Sequence, residues 1–230
     1  MGVKREKKKE KEPFSCSSCG LLNCYRRDKS FPRACLTTAL KAGDMEEVLT
    51  LYKEEGQDSQ IARAAAEIEG TYFGKLTRVE EIIEFARRMG ARKIGIASCV
   101  GLMNETRIFA QVLEKKGLKS YTVICKVASI DKTEIGIPES LKVEPGCHES
   151  LCNPILQAKL LNKEKTDLNV IVGLCVGHDS LFVKYSKALV TTLITKDRVL
   201  GHNPAAGLYT SGFYYKRLLT EEPFAPHKED

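Results

Sequence analysis

The stretch from Leu168 to Ser180, LNVIVGLCVGHDS, limits what this chain can fold into more than any other. A short Val, Ile and Leu run closed by turn residues suits a parallel strand covered on both faces, and Asn169 to Leu174 is assigned to one. Parallel strands need neighbours and crossover helices, so the stretch predicts an open α/β sheet. In such sheets ligands bind beyond the carboxyl ends of the strands, where the next helix points its N-terminus at the crevice. Here that position carries Cys175 and His178.

The flanking sequence supplies the partners. Lys93 to Ser98 reads as a strand, followed by Cys99 and a helix from about Asn104 to Lys116, and then by a strand from Ser120 to Val127. A fourth strand is expected from Ala188 to Thr195. Asn153-Pro154 and Asn203-Pro204 pair a capping residue with the first helical position, so each marks a helix start. The fold class is therefore α/β: a doubly wound, mostly parallel sheet of about four strands over residues 91–220. Residues 37–90 carry apolar side chains at helical spacing, with a capping box at Thr77-Arg78-Val79-Glu80 and a stop at Gly90. Residues 37–90 contain no Cys or His and are read as a scaffold packed against the sheet.

No apolar run is long enough to cross a bilayer, and the N-terminal lysine run lacks the apolar segment of a secretory signal. A cytoplasmic protein with no membrane partner is expected. Nine cysteines are many for that compartment, where thiols are kept reduced, so metal ligation or thiol chemistry is the better account of them. Four lie between Ser15 and Leu36, after a basic tail at residues 1–13. Cys16, Cys19, Cys24 and Cys35 follow the spacing C-x2-C-x4-C-x10-C. Such a segment, residues 14–36, can grip one metal centre through four thiolates, either zinc or an iron–sulfur cluster, and the spacing does not choose between them.

The other candidates fall at strand ends. Cys99 follows the first strand, and Cys147, His148 and Cys152 lie in the long loop after the second. Cys175 and His178 follow the third, and His202 the fourth. Parallel strands put these ends on one edge, so Cys147, Cys152, Cys175, His178 and His202 are expected to converge. Cys175 is the expected thiolate and His178 its proton partner or co-ligand. The remaining residues would bind a second metal, a cluster or a small ligand. Cys125 is placed inside a strand as a small core residue.

Phosphate-loop, dinucleotide, zinc-protease and serine-hydrolase signatures are all missing from the sequence, which argues against nucleotide hydrolysis and serine hydrolysis. If the chain is an enzyme, redox or thiol-dependent chemistry fits best, with a small ligand or redox partner. The alternative is a zinc-knuckle nucleic-acid module using Lys4 to Lys11, Arg26 and Arg27 as phosphate contacts. It is the weaker reading, because the net charge of +6 is modest and the basic run lacks interleaved aromatics. The tail at residues 221–230, with His227, is polar and proline-containing.

The four-cysteine segment ahead of an α/β domain, together with GLCVGHDSLF and GHNPAAGLY, resembles a domain-of-unknown-function family of metal-binding proteins from archaea and anaerobic bacteria. The resemblance covers most of the chain, leaving out the lysine-rich start and the last residues. It implies metal binding without a substrate or reaction. It also favours an iron–sulfur cluster over zinc, since anaerobes use such clusters freely.

Overall fold

The structure, a computed structural model, describes residues 15–26, 30–33 and 35–224. The basic run from Lys4 to Glu12, Arg27 and His227 lie outside the described residues. The chain divides into two units, Met1–Arg63 and Ala64–Asp230.

The first unit contains a 3-10 turn at Cys16–Ser18, helix α1 (Asn23–Arg26), a second 3-10 turn at Leu36–Thr38 and helix α2 (Asp44–Lys53). It ends in the first part of α3 (Gln57–Tyr72). Neither α1 nor α2 buries a residue. In the second unit, α4 (Arg78–Arg88) buries Ile82, Ile83 and Ala86. At the start of α4, Glu80 reaches back to accept from the Thr77 backbone N–H at 2.8 Å. At its end, Gly90 turns left-handed and Ala91 N–H bonds back to the Ala86 carbonyl.

The second unit continues with β1 (Lys93–Ser98), α5 (Met103–Lys115) and β2 (Lys119–Ile124). After a long loop come α6 (Pro154–Lys163), β3 (Leu168–Val172), α7 (His178–Tyr185), β4 (Leu189–Ile194) and α8 (Ala205–Tyr209). The four strands form one all-parallel sheet in the order β2-β1-β3-β4. β3 is buried along its whole length and β1 at all but its first residue, which is why their sequences read as continuous small and apolar runs.

Side chains alternate between two cores. Ile94, Ile96, Leu168, Val170 and Val172 pack with Phe109, Leu113 and the apolar face of α4. Ala97, Val123 and Ile171 pack on the other side with Ala158 and Leu161 of α6 and Phe182 of α7. Helices thus cover both faces, as a doubly wound sheet requires. Phe182 is fully buried, and its transfer from water contributes about 2 kcal/mol to seating the short helix α7.

The chain leaves β1 for β2 on one side and then crosses to β3 on the other. The crevice between the carboxyl ends of β1 and β3 is therefore the topological switch point, the place where open α/β sheets bind ligands. Gly173 closes β3 there with φ of 69°, and a methyl group on it would stand 2.0 Å from Leu102 Cδ1. Leu102 is itself buried and cannot swing clear. Gly173→Ala should lower unfolding free energy by about 2 kcal/mol, combining left-handed strain with overpacking. Denaturant titration would read this as a lower midpoint at unchanged slope, and an unshifted midpoint would contradict the close approach.

Candidate functional site

Ser98 pairs with Ile124 of β2 and Val172 of β3, and the ladder runs one step further. Cys99 N–H donates to the Val172 carbonyl at 3.0 Å, and Cys125 N–H to the Ser98 carbonyl at 2.8 Å. Cys99 and Cys125 are therefore neighbours, one residue beyond their strands, with side chains on the face covered by α6 and α7. They are only 6% and 2% exposed. The Cys125 sulfur accepts the Val100 N–H at 3.3 Å, and Cys125 shares one buried cluster with Cys99, against which Cys152 packs.

Cys152 arrives by the return of the long loop. Asn153 N–H donates to the Cys125 carbonyl at 2.7 Å, and the Lys126 ammonium donates to the Ser150 carbonyl. Asn153 then caps α6, its Oδ1 accepting the Leu156 N–H at 3.0 Å. From α6 the buried amide of Gln157 donates to the carbonyls of Ser98 and Val123. One short segment thus fixes Cys152, the helix start and the strand ends together. Unlike Cys99 and Cys125, Cys152 is partly exposed.

Cations surround these sulfurs. Lys196 follows β4 and passes over the side-chain-free Gly173, its Cδ 3.8 Å from where a Cβ there would stand. Its Nζ and the Cys99 sulfur flank Gly101, 3.4 and 4.0 Å from where a Cβ there would stand. Lys126 and His178, the first residue of α7, lie near enough to Cys152 to favour its thiolate. Arg198 Nη2 donates to the Cys175 sulfur at 3.1 Å.

The thiols are electrostatically unequal. Hydrogen bonding to Cys152 and Cys99, added to burial, raises the Cys125 pKa far above its ordinary value, so it keeps its proton and acts as donor. Its S–H lowers Cys99 and Cys152 to about 5 against the opposing effect of burial. Gly101 N–H and Lys196 assist at Cys99, and Lys126 and His178 at Cys152. One proton cannot serve both sulfurs at once, so the trio titrates as a unit, and the first ionisation is the easy one.

The other expected members stand elsewhere. Cys147 is exposed, and its carbonyl accepts from Lys142 at 3.1 Å. His148 lies 3.3 Å from Asp131 and within hydrogen-bond reach of Ser129 and Ser150. Asp131 organises that loop: it accepts the Thr133 and Glu149 N–H groups at 2.9 and 2.8 Å and pairs with Lys142, and these partners hold its carboxyl far below the usual range. His202 accepts the Asp197 N–H through Nδ1 at 3.1 Å and lines a cleft of about 490 Å³ with Leu102, Glu105 and Leu193, side chains of the α4–α5 core among them. Of the five residues expected to converge, Cys152 and His178 meet, and Cys175 is joined to the cations by Arg198. Cys147 and His202 belong to other surroundings, as does His148. Cys175 bonds Arg198 rather than the His178 ring, whose Nδ1 is buried with no hydrogen-bond partner among the described residues.

Three neighbours of these sulfurs escaped the sequence reading, Lys126, Lys196 and Arg198, while Cys125 is buried in the core as expected. Cys125 lies one residue past the end of β2, not inside it. The signal was available in the loss of apolar alternation after Ile124 and in two cations directly following β4.

In the N-terminal segment the Cys16 carbonyl accepts the Cys19 N–H at 3.1 Å, closing the C-x2-C turn. Cys24 sits on α1, and Cys35 precedes the second 3-10 turn, where the Thr37 hydroxyl lowers its thiol pKa. Among the described residues, no three His, Cys, Asp or Glu groups stand together as a metal ion requires.

Residues 35–193 match the family described as Protein of unknown function (DUF1847). The chain belongs to this family. It is 47% identical over 206 residues to Uncharacterized protein MJ0455 of Methanocaldococcus jannaschii, spanning 90% of this chain and 98% of that protein. No solved structure matches it. The DUF1847 match takes in Cys99, Cys125, Cys152 and Cys175, while Cys16, Cys19, Cys24, Lys196 and Arg198 fall outside it. The resemblance read from the two glycine-rich motifs thus holds at the level of the family.

Alkylation follows the thiolate fraction, so a lowered pKa means that Cys152 reacts at a rate nearly independent of pH above about 6. Cys125→Ala removes the leading cause of that lowering. The Cys152 rate should then climb with pH towards an ordinary thiol inflection near about 8.5. Mass-resolved iodoacetamide labelling from pH 5 to pH 9 measures both profiles, and an identical profile in the variant would contradict the shared-proton arrangement.

Proposed function

We propose that this DUF1847 protein binds one metal centre through Cys16, Cys19, Cys24 and Cys35, and that its sheet edge performs thiol-dependent chemistry on a small ligand. The observation that carries the second part is the buried Cys125 thiol in contact with two sulfurs of lowered pKa, with Lys126, Lys196 and Arg198 beside the group. Perturbed thiols beside fixed cations at a switch point mark a reactive site.

The first part draws support from what the N-terminal segment lacks. Among its described residues Cys35 alone is buried, so apolar burial contributes little to holding it. Metal binding would supply that free energy, since ligand assembly and folding are one equilibrium in so small a segment. Four thiolates suit zinc or an iron–sulfur cluster. Either would serve as a structural or electron-carrying centre.

At the sheet edge each side chain has a distinct task. Cys152, partly exposed and favoured as thiolate, attacks. Cys125 holds the proton that favours this thiolate. Arg198 and Lys196 attract an anionic group on the ligand, and His178 stands near the attacking sulfur.

Elemental analysis of anaerobically purified protein for iron, zinc and sulfide tests the metal centre. Cys19→Ser should lose one metal equivalent and become protease-sensitive over residues 15–36, while the melting of the second unit is unchanged. Metal content equal to that of the unaltered protein would reject the N-terminal centre.

A further inference from the structure

We propose that Cys125 and Cys152 form a reversible dithiol–disulfide couple, in which the partly exposed Cys152 exchanges with a small anionic disulfide and the buried Cys125 resolves the adduct. The inference rests on the thiol-dependent reading of the sheet edge and adds to it the substrate class and the second sulfur.

Accessibility divides the roles. An exchanging thiol must be reached from solvent and line up with the incoming S–S bond, which Cys152 can do and Cys99, at 6% exposure, cannot. A resolving thiol must lie behind it, within reach of the same sulfur and shielded from the substrate. Cys125, 2% exposed, is held there by three backbone bonds: its own N–H to Ser98, its carbonyl from Asn153, and Val100 N–H to its sulfur. The Asn153 bond ties the backbone next to Cys152 directly to Cys125, so their proximity does not depend on side-chain rotamers alone.

The chemistry balances without another reactant. The Cys152 thiolate attacks one sulfur of R–S–S–R, forming Cys152–S–S–R and expelling R–S⁻. Cys125 then attacks the Cys152 sulfur, its proton passes to the expelled thiolate, and the second R–S⁻ leaves. The protein loses two electrons as its disulfide forms, and the substrate gains them as one thiol and one thiolate. Lys126 stands beside Cys152, with Lys196 and Arg198 at the neighbouring sulfurs Cys99 and Cys175, so a carboxylate-bearing disulfide is favoured over a cationic one.

Full-length protein with its metal content unaltered is incubated anaerobically with glutathione disulfide, quenched in acid, alkylated and mapped by tryptic mass spectrometry. The expected product links residues 120–126 to residues 143–159 through Cys125 and Cys152, with fragmentation separating Cys152 from Cys147. Cys125→Ala should halt at a glutathione adduct on Cys152. Cystamine, a dication, should react about tenfold more slowly. A Cys152 adduct that never resolves in the unaltered protein, or a Cys99–Cys125 link in its place, overturns the couple but leaves the thiol reading standing. No adduct at Cys152 removes both. Cystamine reacting as fast as glutathione disulfide overturns the anionic substrate class. If Cys125→Ala fails to fold, the map of the unaltered protein decides alone.

Discussion

The hydrogen-bonded seam between β1 and β3 is what the rest of the molecule depends on. It joins the two buried strands, marks where the chain reverses direction across the sheet, and continues past both strand ends through Cys99 N–H and the Val172 carbonyl. Because the ladder does not stop where the strands do, the residues just beyond it are as fixed as core residues while their outer neighbours meet solvent. That is the condition a reactive group needs: a rigid base and an open front. Gly173 completes the arrangement, because without a side chain it lets Leu102 pack beneath and Lys196 cross above.

Burying sulfur beside sulfur is unremarkable while all are protonated, since a thiol is a small apolar group with a weak donor. A charge there is another matter, and the structure handles it locally. The Cys125 S–H, the Gly101 N–H and two lysines favour one thiolate in the trio, while a second would face the first across a short gap. Arg198 extends the same cationic border to Cys175. The Asp131 constellation is separate and of the opposite character, a carboxylate fixed by backbone donors and Lys142 that closes a loop. The Asp131 constellation lies within the excursion between β2 and α6, and only the two ends of that excursion, at Cys125 and at Cys152, reach the sulfurs.

Much of the α/β unit was legible in the sequence. Lys93–Ser98 was placed to the residue, β3 and β4 to within two, and the Thr77 box and the Asn153-Pro154 helix start were read from local chemistry that acts within a few residues. The site was legible only in part, and the division follows a physical line. Residues within one or two positions of a strand end, Cys99 and Cys175, inherit their location from the sheet. Residues deep in a long loop do not: Cys147 and His148 were grouped with Cys152 by sequence proximity, yet the loop folds back on itself through the Asp131–Ser150 bridge and carries only Cys152 to the edge. His202 failed for a related reason, because a strand end has two faces, and its side chain meets the cleft on the α4–α5 side. β2 ends three residues earlier than expected, which puts Cys125 just past the strand while leaving it in the core.

The arrangement of protons also bears on why exchange chemistry suits the sheet edge better than a second metal. A metal bound by Cys99, Cys125 and Cys152 would need three thiolates, and so would have to displace the proton on Cys125, the one most firmly held in the group. It would also enter a space where Lys126 and Lys196 already supply the positive charge that thiolates attract. Disulfide exchange makes no such demand, because it begins from a single thiolate, and the Cys125 proton moves only when a leaving thiolate is present to take it. The N-terminal cysteines present the reverse case. Cys16 and Cys24 are exposed and no lysine or arginine is bonded to them among the described residues, so a cation would meet thiols with no competing charge bound to them.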